Sequence, residues 1–114
     1  MVFPFSSPKF PDIDRKRLRD FVWSKKVVSI REACEFCERV PSQNAFEMLK
    51  ILGKECGFSL IKYGEFMDPL KDKKNMALLI EVYHFLYPAG KKRVGIRWVI
   101  ASDDYYAGLK ARMR

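Results

Sequence analysis

Three cysteines and a single histidine raise metal chemistry as the first question. Cys34 and Cys37 stand one helical turn apart. Cys56 and His84 would complete a set of three thiolates and one imidazole, which suits tetrahedral zinc. Such a site needs four ligands converging from three separate elements. A simpler reading is that each cysteine falls on an apolar stripe, where a free thiol behaves as a small buried hydrophobe. A Cys37–Cys56 disulfide stays open beside it. His84 lies between Tyr83 and Phe85, with no nucleophile or carboxylate spaced to orient it, so it reads as structural. The sequence contains no Gly-x-Ser-x-Gly elbow, no phosphate loop and no His-Glu-x-x-His motif. Asp103 and Asp104 read as cap and dipole complement at a helix start, and Glu32, Glu35 and Glu38 as a solvated helix face. The expectation is therefore a binding protein with no catalytic set, no metal and no cofactor.

Charge says more about what is bound. Lys and Arg number 22 against 14 Asp and Glu, a net charge of +8, which favours an anionic partner. The excess lies at the two ends. Residues 15–26 hold Arg15, Lys16, Arg17, Arg19, Lys25 and Lys26 against Asp20 alone. Residues 91–114 hold Lys91, Lys92, Arg93, Arg97, Lys110, Arg112 and Arg114 against Asp103 and Asp104. Between them, residues 31–55 are slightly acidic. These clusters lack matching acids, so they read as functional rather than as surface ion-pair networks. Tyr105 and Tyr106 beside Arg112 and Arg114 would stack on bases, or would pack the last helix onto the core.

The elements that must position these residues are legible from caps and periodicity. Residues 1–12, with Pro4, Pro8 and Pro11, read as an extended arm held by Phe3, Phe5 or Phe10. A first helix is expected over 14–24, with Leu18, Phe21 and Val22 on one face. Ser29 and Glu32 have capping-box spacing and open a second helix, which Val40-Pro41 ends. Ser42 caps a third, with Ala45, Met48, Leu49, Leu52 and Cys56 as its stripe and Gly57 as the left-handed residue after it. A strand is expected over 58–66 and a short helical turn near Pro69. Leu78–Tyr87 reads as a strand because it is rich in Ile, Val, Tyr and Phe, with a helix over 69–87 as the alternative. Strict alternation of Val94, Ile96, Trp98 and Ile100 predicts a strand over 93–101, so 78–101 would be a hairpin with a basic tip. Residues 102–114 form a basic C-terminal helix or tail.

Helix, capped helix, tight turn at Arg39-Val40-Pro41-Ser42, third helix, then strands is helix-turn-helix order. The stretch 13–101 resembles the winged-helix DNA-binding superfamily, and within it the small regulators of prokaryotes and archaeal viruses. The resemblance implies an α+β fold: a winged helix-turn-helix of three helices, a β-hairpin wing and a short C-terminal helix. It implies that the third helix enters the major groove, turning Gln43, Asn44, Glu47, Lys50 and Lys54 to DNA. Gln and Asn would read adenine and Lys would reach guanine or phosphate. The wing tip would be Lys91, Lys92 and Arg93, with backbone contacts from Arg15, Arg17 or Arg19. Glu47 and the acidic middle depart from a typical DNA reader. The expected partner is double-stranded DNA, with RNA or an acidic protein as alternatives; a homodimer is compatible with the sequence. The apolar start Met1–Phe5 is too short and too Pro-rich for a signal peptide, no apolar run approaches a membrane span of about 20 residues, and the cysteine count is odd. A cytoplasmic, intracellular location is expected.

Overall fold

Local chemistry sets the boundaries of the first three helices. In the computed structural model, which describes residues 10–88 and 95–113, α1 runs Arg15–Lys25. Asp14 caps it by accepting from the Arg17 amide at 3.1 Å. Lys26 then adopts a φ of 70°, and this sharp turn leads into β1, Val27–Ser29. The sequence reading did not single out β1, because three residues carry no measurable alternation. α2, Ile30–Phe36, begins with the Ser29 hydroxyl accepting from the Glu32 amide at 3.2 Å. It stops well short of Val40-Pro41. Glu38 is left-handed (φ 57°), the Glu38 amide donates to Glu35 at 3.1 Å and the Arg39 amide to Cys34 at 2.9 Å. That pair of bonds closes a helix with a Schellman turn, here with glutamate where glycine is usual. α3, Gln43–Cys56, is capped by Ser42 and ended by left-handed Gly57, as its stripe predicts.

The second half departs from the expected hairpin. β2 covers only Phe58–Lys62. The chain then forms α4 (Tyr63–Met67), two 3-10 turns (Asp68–Lys71 and Lys73–Asn75) and α5 (Met76–Leu86). The strand reading of 78–87 is therefore wrong, and the helical alternative holds from Met76 onward. Strand propensity lost because Leu78, Val82 and Leu86, four residues apart, all bury one face of α5. Among the described residues the last strand, β3, starts only at Trp98 and runs to Ser102. Ser102 then caps α6, Asp103–Arg112, by accepting from the Tyr105 amide at 3.3 Å.

β3 is the centre of a three-stranded antiparallel sheet in the order β1-β3-β2. Side chains alternate across a strand, and each face has its own core. Val28, Phe58 and Ile100 face α1, α2 and α3 through Leu18, Val22, Cys34, Met48, Leu49 and Leu52. Val27, Val99 and Ala101 face the opposite layer with Phe66, Met67, Leu70, Val82 and Leu109. Residues 63–86 thus form the second helical layer of an α+β fold where a strand and a tight hairpin were expected. α6 belongs to that layer through buried Leu109. Tyr106 stacks on Phe66 at 5.6 Å, and Tyr105 meets Phe85 edge-on and donates to Glu81, which also accepts from Arg112. Tyr105 and Tyr106 are therefore packing residues. Among the described residues no helix is long and apolar enough to cross a membrane.

Candidate nucleic-acid interface

α3 buries one stripe and exposes another. Ala45, Met48, Leu49, Leu52 and Cys56 are buried, whereas Gln43, Asn44, Glu47, Lys50 and Lys54 are all exposed. The five residues singled out on this helix therefore share its outer face. Gln43 donates to Glu47 at 2.9 Å, so the one carboxylate of the stripe is partly satisfied by a neighbour one turn away. Phe46 interrupts the polar stripe. It is half-buried, meets Trp98 of β3 edge-on at 4.9 Å and lies 5.8 Å from the Lys50 ammonium.

Two grooves flank this aromatic pair, and both are lined by Phe46 and Trp98. The larger, about 550 Å³, also takes in Arg31, Ser42, Gln43 and Arg97. The smaller, about 420 Å³, takes in Lys50, Lys54 and the β2 segment Phe58–Leu60. Lys62 is the register partner of Trp98, and antiparallel partners project to the same face. Arg31, Lys50, Lys54, Lys62 and Arg97 thus come to one side of the molecule from α2, α3, β2 and the approach to β3. Among the described residues none of the five forms an ion pair with a carboxylate. Arg31, Phe46, Lys62 and Trp98 were not singled out from the sequence as site residues, and Arg97 was counted only within the C-terminal basic cluster. An aromatic residue at position 46 of an otherwise polar stripe was the available signal for the pair. The β2 register that brings Lys62 beside Trp98 left none.

The basic residues of α1 behave differently. Arg15 is buried at 8% exposure, so its expected contact with a nucleic-acid backbone is corrected. Its guanidinium donates to the carbonyls of Phe10 and, at 2.7 Å, Ile13, and its Nε lies 3.8 Å from the buried Glu55 carboxylate. Arg17 and Arg19 are exposed, but they lie over the Phe36 and Trp23 rings at 5.6 and 4.5 Å. Neither groove beside α3 is lined by any of the three. Arg39 pairs with Asp12 at 2.6 Å, and that hydrogen bond holds the Asp12 carboxyl below its usual range. The end of the arm thus meets the first core at Phe10, while Asp12 is held by Arg39 at the surface. The proposed wing tip, Lys91, Lys92 and Arg93, lies outside the described residues.

The cysteines and the histidine do not converge. Cys34, Cys37 and Cys56 are buried free thiols in the first core, and His84 is exposed on α5 in the other layer. Among the described residues no group of three potential ligands is gathered. Burial pushes the Cys37 and Cys56 thiols up to about 11, so at neutral pH both are protonated and poor nucleophiles.

Compared with known protein families, with characterised proteins and with solved structures, the chain matches none.

Proposed function

We propose that the chain is a winged-helix-type protein that binds double-stranded DNA without catalysis, with α3 as its reading helix. One observation carries this reading: the exposed stripe Gln43, Asn44, Glu47, Lys50 and Lys54 is flanked by Arg31, Lys62 and Arg97, none of the three held by an acid among the described residues. Element order supports it. A helix, a capped helix, a short turn and a third helix lead into β2, which pairs antiparallel with β3 beyond the helical insert. An α-helix fits the major groove, where Gln43 and Asn44 are suited to adenine edges, and Glu47 to cytosine N4. Lys50, Lys54, Arg31 and Arg97 would neutralise phosphates, which carry most of the affinity and none of the sequence information. Residues 63–86 are helical where a wing strand was expected, so among the described residues the groove contacts beyond α3 fall to those next to β3, with Arg97 foremost.

Anisotropy titration of a labelled mixed-sequence duplex tests the reading. Lys50→Ala with Lys54→Ala should weaken binding, whereas Lys73→Ala with Lys74→Ala, two exposed lysines of the opposite layer, should not. Equal losses from both pairs would mean that only net charge matters and that α3 is not the contact surface. A second reading, a docking subunit of a larger assembly, is favoured by Met76 and Ile80, one turn apart on α5 and about half exposed. Loss of partner capture from Ile80→Asp with duplex affinity unchanged would support it.

A further inference from the structure

A base inside a duplex offers only its edge to a protein, because both its faces are stacked. The half-buried Phe46–Trp98 pair is not edge-reading chemistry. It forms a ridge between two open grooves of about 550 and 420 Å³, each within the roughly 300–1,000 Å³ of pockets that hold small ligands. Arg31, Gln43 and Arg97 stand on one side of the ridge, and Lys50 and Lys54 on the other. An aromatic surface with cations on both sides is what single-stranded nucleic acid uses: bases stack on the rings while the phosphates run past the cations. Packing alone explains why Phe46 holds α3 to the sheet. It does not explain why, among the described residues, the grooves on either side of that contact are lined by four cations and no acid.

We propose that this ridge is a stacking site for an unpaired nucleotide, so that the protein prefers a junction of duplex and single strand to a continuous duplex. The inference rests on the duplex-binding reading, since α3 would hold the paired part. A strand leaving the duplex crosses from Arg31 and Arg97 over Trp98 and Phe46 to Lys50 and Lys54. Stacking recognises the face of any base, so the preference is for unpaired structure and not for a sequence.

The test compares a blunt hairpin duplex with the same duplex carrying a short single-stranded tail, by anisotropy at one salt concentration. The tail should tighten binding about five- to one-hundred-and-fifty-fold, the range of one stacked base. Trp98→Leu should abolish the gain and Trp98→Phe should keep it, with circular dichroism checking that both variants fold. If Trp98→Leu does not fold, Phe46→Leu replaces it with the same expectation. Blunt binding with no gain from the tail overturns the stacking site and leaves the duplex reading intact. Tight binding of the tailed probe with no blunt binding sustains the stacking site and overturns the duplex reading. A gain that survives in Trp98→Leu, or failure to bind either probe, overturns the inference.

Discussion

Replacing Gly53 with alanine should destabilise the protein, although helix propensity alone argues the opposite. Gly53 lies in the last third of α3 and is buried. In an exposed helix interior the change would stabilise by about 1 kcal/mol. Here a Cβ would sit 2.6 Å from the Phe58 carbonyl oxygen and 3.1 Å from two carbons of its ring. The ring could tilt away, but the carbonyl belongs to the backbone of β2, which is fixed by its register with β3. Either α3 or β2 must move, and overpacking of this kind costs about 1–3 kcal/mol. The net expectation is a loss of about 1 kcal/mol, and at most about 2, with a fall in Tm of about 4–8 °C for each kcal/mol in a domain near this size. Urea unfolding should show a lower midpoint at unchanged slope. Gly108→Ala is the control: it lies exposed in α6 with open space around its would-be Cβ, and should stabilise by about 0.5–1 kcal/mol. If Gly53→Ala is as stable as the parent while Gly108→Ala behaves as expected, α3 does not approach β2 this closely. The groove geometry beside Phe46 would then be wrong as well.

Two further predictions concern buried groups. Arg15→Ala should cost about 3 kcal/mol or more, because it removes the cation beside the buried Glu55 carboxylate. Duplex affinity of the folded variant should be unchanged, and a large loss of affinity would return Arg15 to the interface. Alkaline pH should destabilise the fold before phosphate contacts matter. The Cys37 and Cys56 thiols ionise near 9.0 when unfolded and at about 11 in the fold. The folded state therefore holds the proton more tightly, and its advantage is full below pH 9 and lost as pH rises towards 11. The loss is at most about 1.4 kcal/mol per pH unit for each thiol. The Tyr105 phenol, raised first by burial and then by its bond to Glu81, acts in the same direction. Urea midpoints should be flat from pH 7 to 9 and fall above it, less steeply in Cys37→Ala with Cys56→Ala; a flat profile to pH 11 would contradict the burial of both thiols.

What the sequence made legible was what short-range chemistry decides. Ser29, Ser42 and Gly57 bound their helices because each satisfies or ends a helix terminus locally. The stripe of α3 separates buried from exposed residues without help from the rest of the fold. The failures needed non-local information. Val27–Ser29 is a strand only because β3 pairs with it, and β3 arrives about seventy residues later. Leu78–Leu86 is a helix because the second face of the sheet requires a covering layer, which outweighs the preference of Ile80 and Val82 for strands. Glu38 ends α2 in a conformation that favours glycine, so no residue type announced it. At the interface, the polar residues of α3 followed from helix geometry. Arg31, Lys62, Arg97 and Trp98 join them through sheet register and packing, which no window of neighbouring residues contains. Arg15 was misplaced for a related reason: a cation counted within a basic cluster looks exposed until its partner Glu55, forty residues away, is brought beside it.

The most direct measurement is the salt dependence of duplex binding for the parent protein and for the variant combining Arg31→Ala, Lys50→Ala, Lys54→Ala and Arg97→Ala. Each phosphate neutralised contributes about −0.9 to the slope of log K against log salt. The parent should show a steep linear slope, and the variant a slope shallower by about 3 to 4, with its fold intact by circular dichroism. Two equal slopes, or no duplex binding by the parent at low salt, would contradict the claim that this face of α3 binds DNA.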